Sequence, residues 1–139
     1  MVTADFSQDA SQTSPDISIV DIDSGDIMLQ FVAYSSSEGL LFFSGPSKSA
    51  GSLQATVGIL CPVHGKVHAV IAVLDNILAV GPLVADDVTG RVLFFMKLSA
   101  EPTKWTLFSV DYTENSEVVP LRTYEGEDYA TFAAAGYMA

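Results

Sequence analysis

From Ile17 to Tyr124 the chain runs as short β-branched and aromatic stretches cut by turn residues about every eight to twelve positions, and this spacing limits the fold most. "ISIVDIDSGDIMLQFVAY" (17–34) reads as strand, tight turn, strand. "LLFFSG" (40–45) follows, and then "LQATVGILC" (53–61) and "KVHAVIAVL" (66–74) form a hairpin closed by "PVHG". "DN" at 75–76 turns the chain into "ILAVGPLV"; "DDVTG" and "EPTK" separate the next strands, "RVLFFMKL" and "WTLFSVDY". "SEVVPLRTY" is a last strand, assigned to a sheet edge because Pro120 has no N–H to give to a ladder. No window keeps a 3.6-residue apolar stripe for more than about two helical turns. The expected fold is therefore mainly β, a compact β-sandwich or small β-barrel.

Three segments follow from composition. Residues 1–16 hold Ser, Gln, Thr, Asp and Ala with one large apolar side chain, Phe6, too little to offset ordering entropy, so they are expected to form a flexible N-terminal arm. Residues 17–124 make the β domain. Residues 125–139 form a C-terminal tail with a short helix as its expected form: Glu127 and Asp128 suit a helix N-terminus, and three alanines precede Gly136. The longest apolar stretch, 69–85, is interrupted by Asp75, Asn76 and Pro82 and is shorter than the roughly 20 residues of a spanning helix. The first residues lack the basic start and apolar run of a secretory signal. One cysteine excludes an internal disulfide.

Seventeen acids against six bases give a net charge of −11, and the first base is Lys48. Such a chain repels phosphate backbones and anionic lipid, so neither nucleic acid nor membrane is an expected partner. Basic or electrically mixed protein surfaces are.

Chemistry concentrates in "CPVHGKVHAV" (61–70), which holds the only cysteine and both histidines. Cys61, His64 and His68 are ligand types for zinc, yet a structural site needs four ligands and no second cysteine or third histidine exists. A turn accounts for the same residues: Pro62 sets φ, Gly65 supplies positive φ, Cys61 acts as a small buried hydrophobe, and His64 and His68 share a strand face. Asp21 and Asp23 resemble the start of a calcium loop, but the glycine comes one place early and Val32 stands where a bidentate Glu belongs. His64, Asp75 and the Ser35–Ser37 cluster carry the residue types of a nucleophilic triad without a nucleophile elbow. Asp86 and Asp87 fit a solvated turn. The expectation is a protein without catalytic residues, metal or cofactor.

The segments "SAGSLQATVGILCPV" (49–63) and "KVHAVIAVLDNIL" (66–78) resemble the central portion of lambda-type phage head decoration proteins, with Val57, Gly58, Ile59 and Leu60 as the shared run. That resemblance implies a β-rich capsid cement protein on the virion surface. It would be a homotrimer whose N-terminal arm pairs with strands of the major capsid protein. Phe6 in the arm and Phe132 and Tyr137 in the tail are the expected partner-binding residues, since aromatic side chains are enriched at protein contacts. Two other readings share the β body: a phage tail-tube or adaptor subunit, and a small metal- or ligand-binding β-barrel centred on Cys61, His64 and His68.

Overall fold

The structure, a computed structural model, describes residues 2–5, 16–49, 51–113 and 117–125. Its strands are β1 (Val2–Asp5), β2 (Asp16–Ile19), β3 (Phe31–Ser35), β4 (Leu40–Pro46), β5 (Ala55–Leu60), β6 (Val67–Leu74), β7 (Ile77–Asp86), β8 (Arg91–Leu98), β9 (Lys104–Asp111) and β10 (Val119–Glu125). Strands β3 to β6 form one antiparallel sheet in the order β3-β4-β5-β6, and β7 to β10 a second in the order β10-β9-β8-β7. Each sheet is a meander in which every strand pairs with its neighbour in sequence, as the short turns require. The expected mainly β body is present, as two four-stranded sheets packed on a shared core.

The period of two decides what lies in that core. In β4, Phe42 and Ser44 face inward; in β5, Ala55 and Val57; in β8, Val92, Phe94 and Met96; and in β9, Phe108 and Val110. Phe94 stacks on Phe108 at 5.5 Å between ring centroids, and Phe42 meets Tyr112 at 4.9 Å. Ser44, a polar group in this core, donates to the Gly81 carbonyl of the opposite sheet at 3.3 Å, so its burial leaves no donor unmade.

One turn expectation is corrected. The "DSGD" segment does turn, with the Ile27 N–H donating to the Ser24 carbonyl at 3.2 Å, but its flanks do not form a hairpin with each other. β2 pairs with β1 instead. Residues 20–30 form an irregular strap whose donors go elsewhere: Asp23 N–H to Gly65 O at 2.8 Å, Met28 N–H to Pro46 O at 2.8 Å, and Gln30 N–H to Ser44 O at 3.1 Å. Asp75-Asn76 joins strands of different sheets. The turn expected there is present, as the corner at which the chain leaves the first sheet for the second, with Asn76 at φ 58°, a left-handed conformation that asparagine tolerates. Pro120 does lie on an edge strand, next to a register shift between Pro120 and Arg122. Val2–Asp5, within the expected arm, is paired with Asp16–Ile19. The expected C-terminal helix falls on residues outside those described.

Candidate functional site

The turn that joins β5 to β6 holds the residues that looked most like chemistry. The Gly65 N–H donates to the Cys61 carbonyl at 2.8 Å and the Cys61 N–H to the Lys66 carbonyl at 2.8 Å, closing a tight loop with Gly65 at φ 69°. A side chain at Gly65 would collide with the Asp21 carbonyl, 2.0 Å from an ideal Cβ, so glycine is needed both for the turn and for seating the strap. The turn brings Cys61 Sγ to 3.3 Å from His64 Nδ1. Cys61 is only partly buried, a correction to its expected role as a core hydrophobe.

His64 and His68 do not share a strand face. His64 belongs to the turn, whereas His68 sits in β6 at a bulge, where the register jumps from Ile59↔Ala69 to Leu60↔Val67. Among the described residues, no group of three or more His, Cys, Asp or Glu side chains is placed to hold a metal ion. Of the two acids that resembled the start of a calcium loop, Asp23 accepts from the Gly25 N–H at 3.2 Å; farther along the strap, Asp26 accepts from the hydroxyls of Ser47 and Ser49.

The would-be triad is also dispersed. The Ser35 hydroxyl donates to Asp87 at 2.5 Å, and Asp75 accepts from Gln54 Nε2 at 3.1 Å; neither reaches His64. Asp87 therefore ties the β7–β8 turn to the end of β3. Asp86 serves its own turn, accepting at Oδ1 from the Val88 N–H and at Oδ2 from the Thr89 hydroxyl at 2.7 Å. That hydroxyl bond, ahead of the two backbone bonds from Thr89 and Val88, holds the Asp86 carboxyl below its ordinary range. Nearby, burial pushes the Tyr112 phenol up, reinforced by the negative charges of Glu38, Asp87, Asp111 and Asp86.

The remaining candidates are surfaces. Register places Val32, Phe43, Gly58 and Val70 in one row across the outer side of the first sheet. The two middle positions are buried, with the Phe43 ring lying over Gly58, where a Cβ would come within 2.7 Å of it. The two ends are open: Val32 and Tyr34 on β3 are 54% and 63% exposed, and Val70 and Val73 on β6 are 54% and 51% exposed. Two apolar stripes thus flank a closed centre.

The second sheet's outer side differs. Phe95, Trp105 and Leu107 form a separate buried cluster there, packed with Ala79, Leu93 and Tyr124, and the Lys97 ammonium lies 4.9 Å from the Trp105 ring centroid. Beside it runs a groove of about 400 Å³ between β8, β9, β10 and the β7–β8 turn, lined by Arg91 and Arg122 among others. Alternation did not mark these surfaces, because a cluster on an outer face looks in sequence like core. The available signal was the five-residue apolar run from Val92 to Met96 in β8, followed by the apolar-rich β9.

Comparison with protein-family models, with curated proteins and with solved structures gave no match. No helix among the described residues is long and apolar enough to cross a membrane. Of the expected partner-binding residues, Phe6, Phe132 and Tyr137 all lie outside the described residues.

Proposed function

We propose that this chain is a non-enzymatic structural protein that acts by burying apolar surface against copies of itself and a larger assembly, in the manner of a capsid decoration protein on a virion. The observation that carries this reading is the pair of apolar stripes on the first sheet, Val32 with Tyr34 and Val70 with Val73, each more than half in water. Large side chains held open on the two edge strands of one face form patches of the kind that mark contact surfaces. β6, an eight-residue strand apolar but for His68, is at the edge of its sheet among the described residues, which supports pairing with a strand from a partner. The resemblance of residues 49–78 to head decoration proteins supplies the trimer and the major capsid protein as the specific partners.

Light scattering and sedimentation of the purified chain test the reading. A trimer that dissociates on Val70→Ser with Val73→Ser supports it; a hexameric ring moves the assignment to a tail-tube or adaptor subunit. A monomer at the highest soluble concentration, with no binding to capsid shells, overturns both.

A further inference from the structure

The groove on the second sheet carries charges at odds with the rest of the molecule. Of six bases in the chain, Arg91, Lys97, Lys104 and Arg122 all lie on β8, β9 and β10. Lys104 approaches Glu125 at 3.9 Å. Arg91 and Arg122 line the groove, and among the described residues neither has a carboxylate within ion-pair distance, although acids outnumber bases seventeen to six.

Arg91 is held in place by its Nε–H, which donates to the Ser109 hydroxyl at 2.6 Å, and among the described residues its two terminal nitrogens have no acceptor. Arg122 is exposed and stands opposite Leu107 in the register. Apolar surface from Leu93, Leu107 and Tyr124 lies between and beside them. The acid at the rim, Asp86, has both oxygens occupied by its own turn, and Asp111, opposite Arg91, accepts from the Thr113 N–H and hydroxyl. Two guanidiniums over an apolar floor match a carboxylate set between apolar side chains, since the guanidinium fork pairs with a carboxylate through parallel hydrogen bonds.

The net charge narrows the class further. At −11 the molecule repels a polyanion at long range, so the match is to one carboxylate on a neutral or basic partner, not to a nucleic acid or an acidic tail. β10 is the terminal strand of its sheet, and Leu121 beside the groove is 53% exposed, so an extended chain can run along this edge.

We propose that the Arg91–Arg122 groove receives a single Asp or Glu side chain from an extended, otherwise apolar or basic peptide segment of a partner protein, lying along the edge of β10 that is unpaired among the described residues. The test is a titration of the isotope-labelled full-length chain, followed by NMR, with the capped peptide Lys-Val-Glu-Leu-Lys and its Gln counterpart. Expected are saturable shifts of the Arg91 and Arg122 side-chain N–H signals and of the Leu121–Tyr124 amides. Affinity should fall at least tenfold for the Gln peptide, and likewise in R122Q or R91Q. R122Q removes a side chain with no partner among the described residues, so it keeps the test valid if R91Q, which loses the Ser109 bond, folds poorly. Equal binding of both peptides, unchanged binding in R122Q, the absence of shifts, or equally tight binding of acetate or inorganic phosphate would each overturn the proposal.

Discussion

The outer faces of the two sheets solve the same problem with different chemistry. Each sheet buries its central strands on both sides, so each needs something on its outer face as well as the shared core. On the first sheet the cover is main chain and aromatic ring: the strap of residues 20–30 lies against Gly45, where Met28 O stands 2.0 Å from an ideal Cβ, and the Phe43 ring fills the place of a side chain at Gly58. On the second sheet side chains do the work, with Phe95, Trp105 and Leu107 closed over by Tyr124 and Lys97. The first arrangement leaves neutral, apolar edges; the second leaves a groove with cations. One molecule thus exposes neutral apolar stripes on one side and a groove lined by two arginines on the other.

Phe43→Ala is the sharpest way to break this comparison. If the first sheet's outer centre is as closed as the core, losing the ring costs about 3 to 5 kcal/mol, the range for large-to-small changes at fully buried positions. Urea unfolding measures it, and a loss of under about 1 kcal/mol would mean that the outer centre is not a second core. Gly65→Ala comes next. It forces a side chain onto a left-handed backbone and against the Asp21 carbonyl, and the expected cost is about 2 to 3 kcal/mol. Hydrogen exchange at Asp23, whose N–H bonds Gly65 O, should quicken in the same variant, because the strap lifts at that end.

On the second sheet, Lys97→Met keeps the aliphatic stem and removes the charge above Trp105. A cation held this close to an indole face contributes on the order of 1 to 2 kcal/mol when desolvated, and Lys97 is buried. The expected loss is at least about 1 kcal/mol by thermal unfolding. A neutral or stabilising result would show that the Lys97 charge adds nothing to the packing of Phe95, Trp105 and Leu107.

Much of this was readable in the residues and some was not, for physical reasons. Turn chemistry located eight strands of the two sheets, because Gly65 and Gly90 occupy left-handed positions that few other residues adopt and the Asp86 turn has its own hydroxyl and amide partners. Alternation correctly identifies a half-open strand such as β3, with its in–out burial from Phe31 to Tyr34. It fails for β4, β5, β8 and β9, where both sides are covered and the period of two vanishes. Two-residue connections do not say whether the next strand stays in the sheet, so Asp75-Asn76 is legible as a turn but not as the corner between the two sheets. The Arg91–Arg122 groove was not legible at all. Its two cations are thirty-one positions apart in sequence and meet only because β8 and β10 flank β9.

The smallest expected effect concerns how the strap is fastened to the first sheet. Asp26 accepts from the Ser47 hydroxyl at 2.6 Å and the Ser49 hydroxyl at 3.0 Å, and these bonds, Ser47 first, hold its carboxyl below the ordinary value of 3.8. Hydrogen bonds to the ionised form depress the folded-state pKa below that of the unfolded chain. The attachment is therefore fully present above the unfolded pKa and is lost as pH falls through the folded one, so acid should loosen the strap while neutral pH does not. In S47A the Asp26 carboxyl should titrate closer to its ordinary value, and S49A should move it in the same direction by less. Carboxyl NMR titration of the two variants reads this directly. If both variants leave the midpoint where it is in the parent chain, the strap is seated by its backbone bonds to Gly65, Pro46 and Ser44, and the first face owes nothing to side-chain polarity.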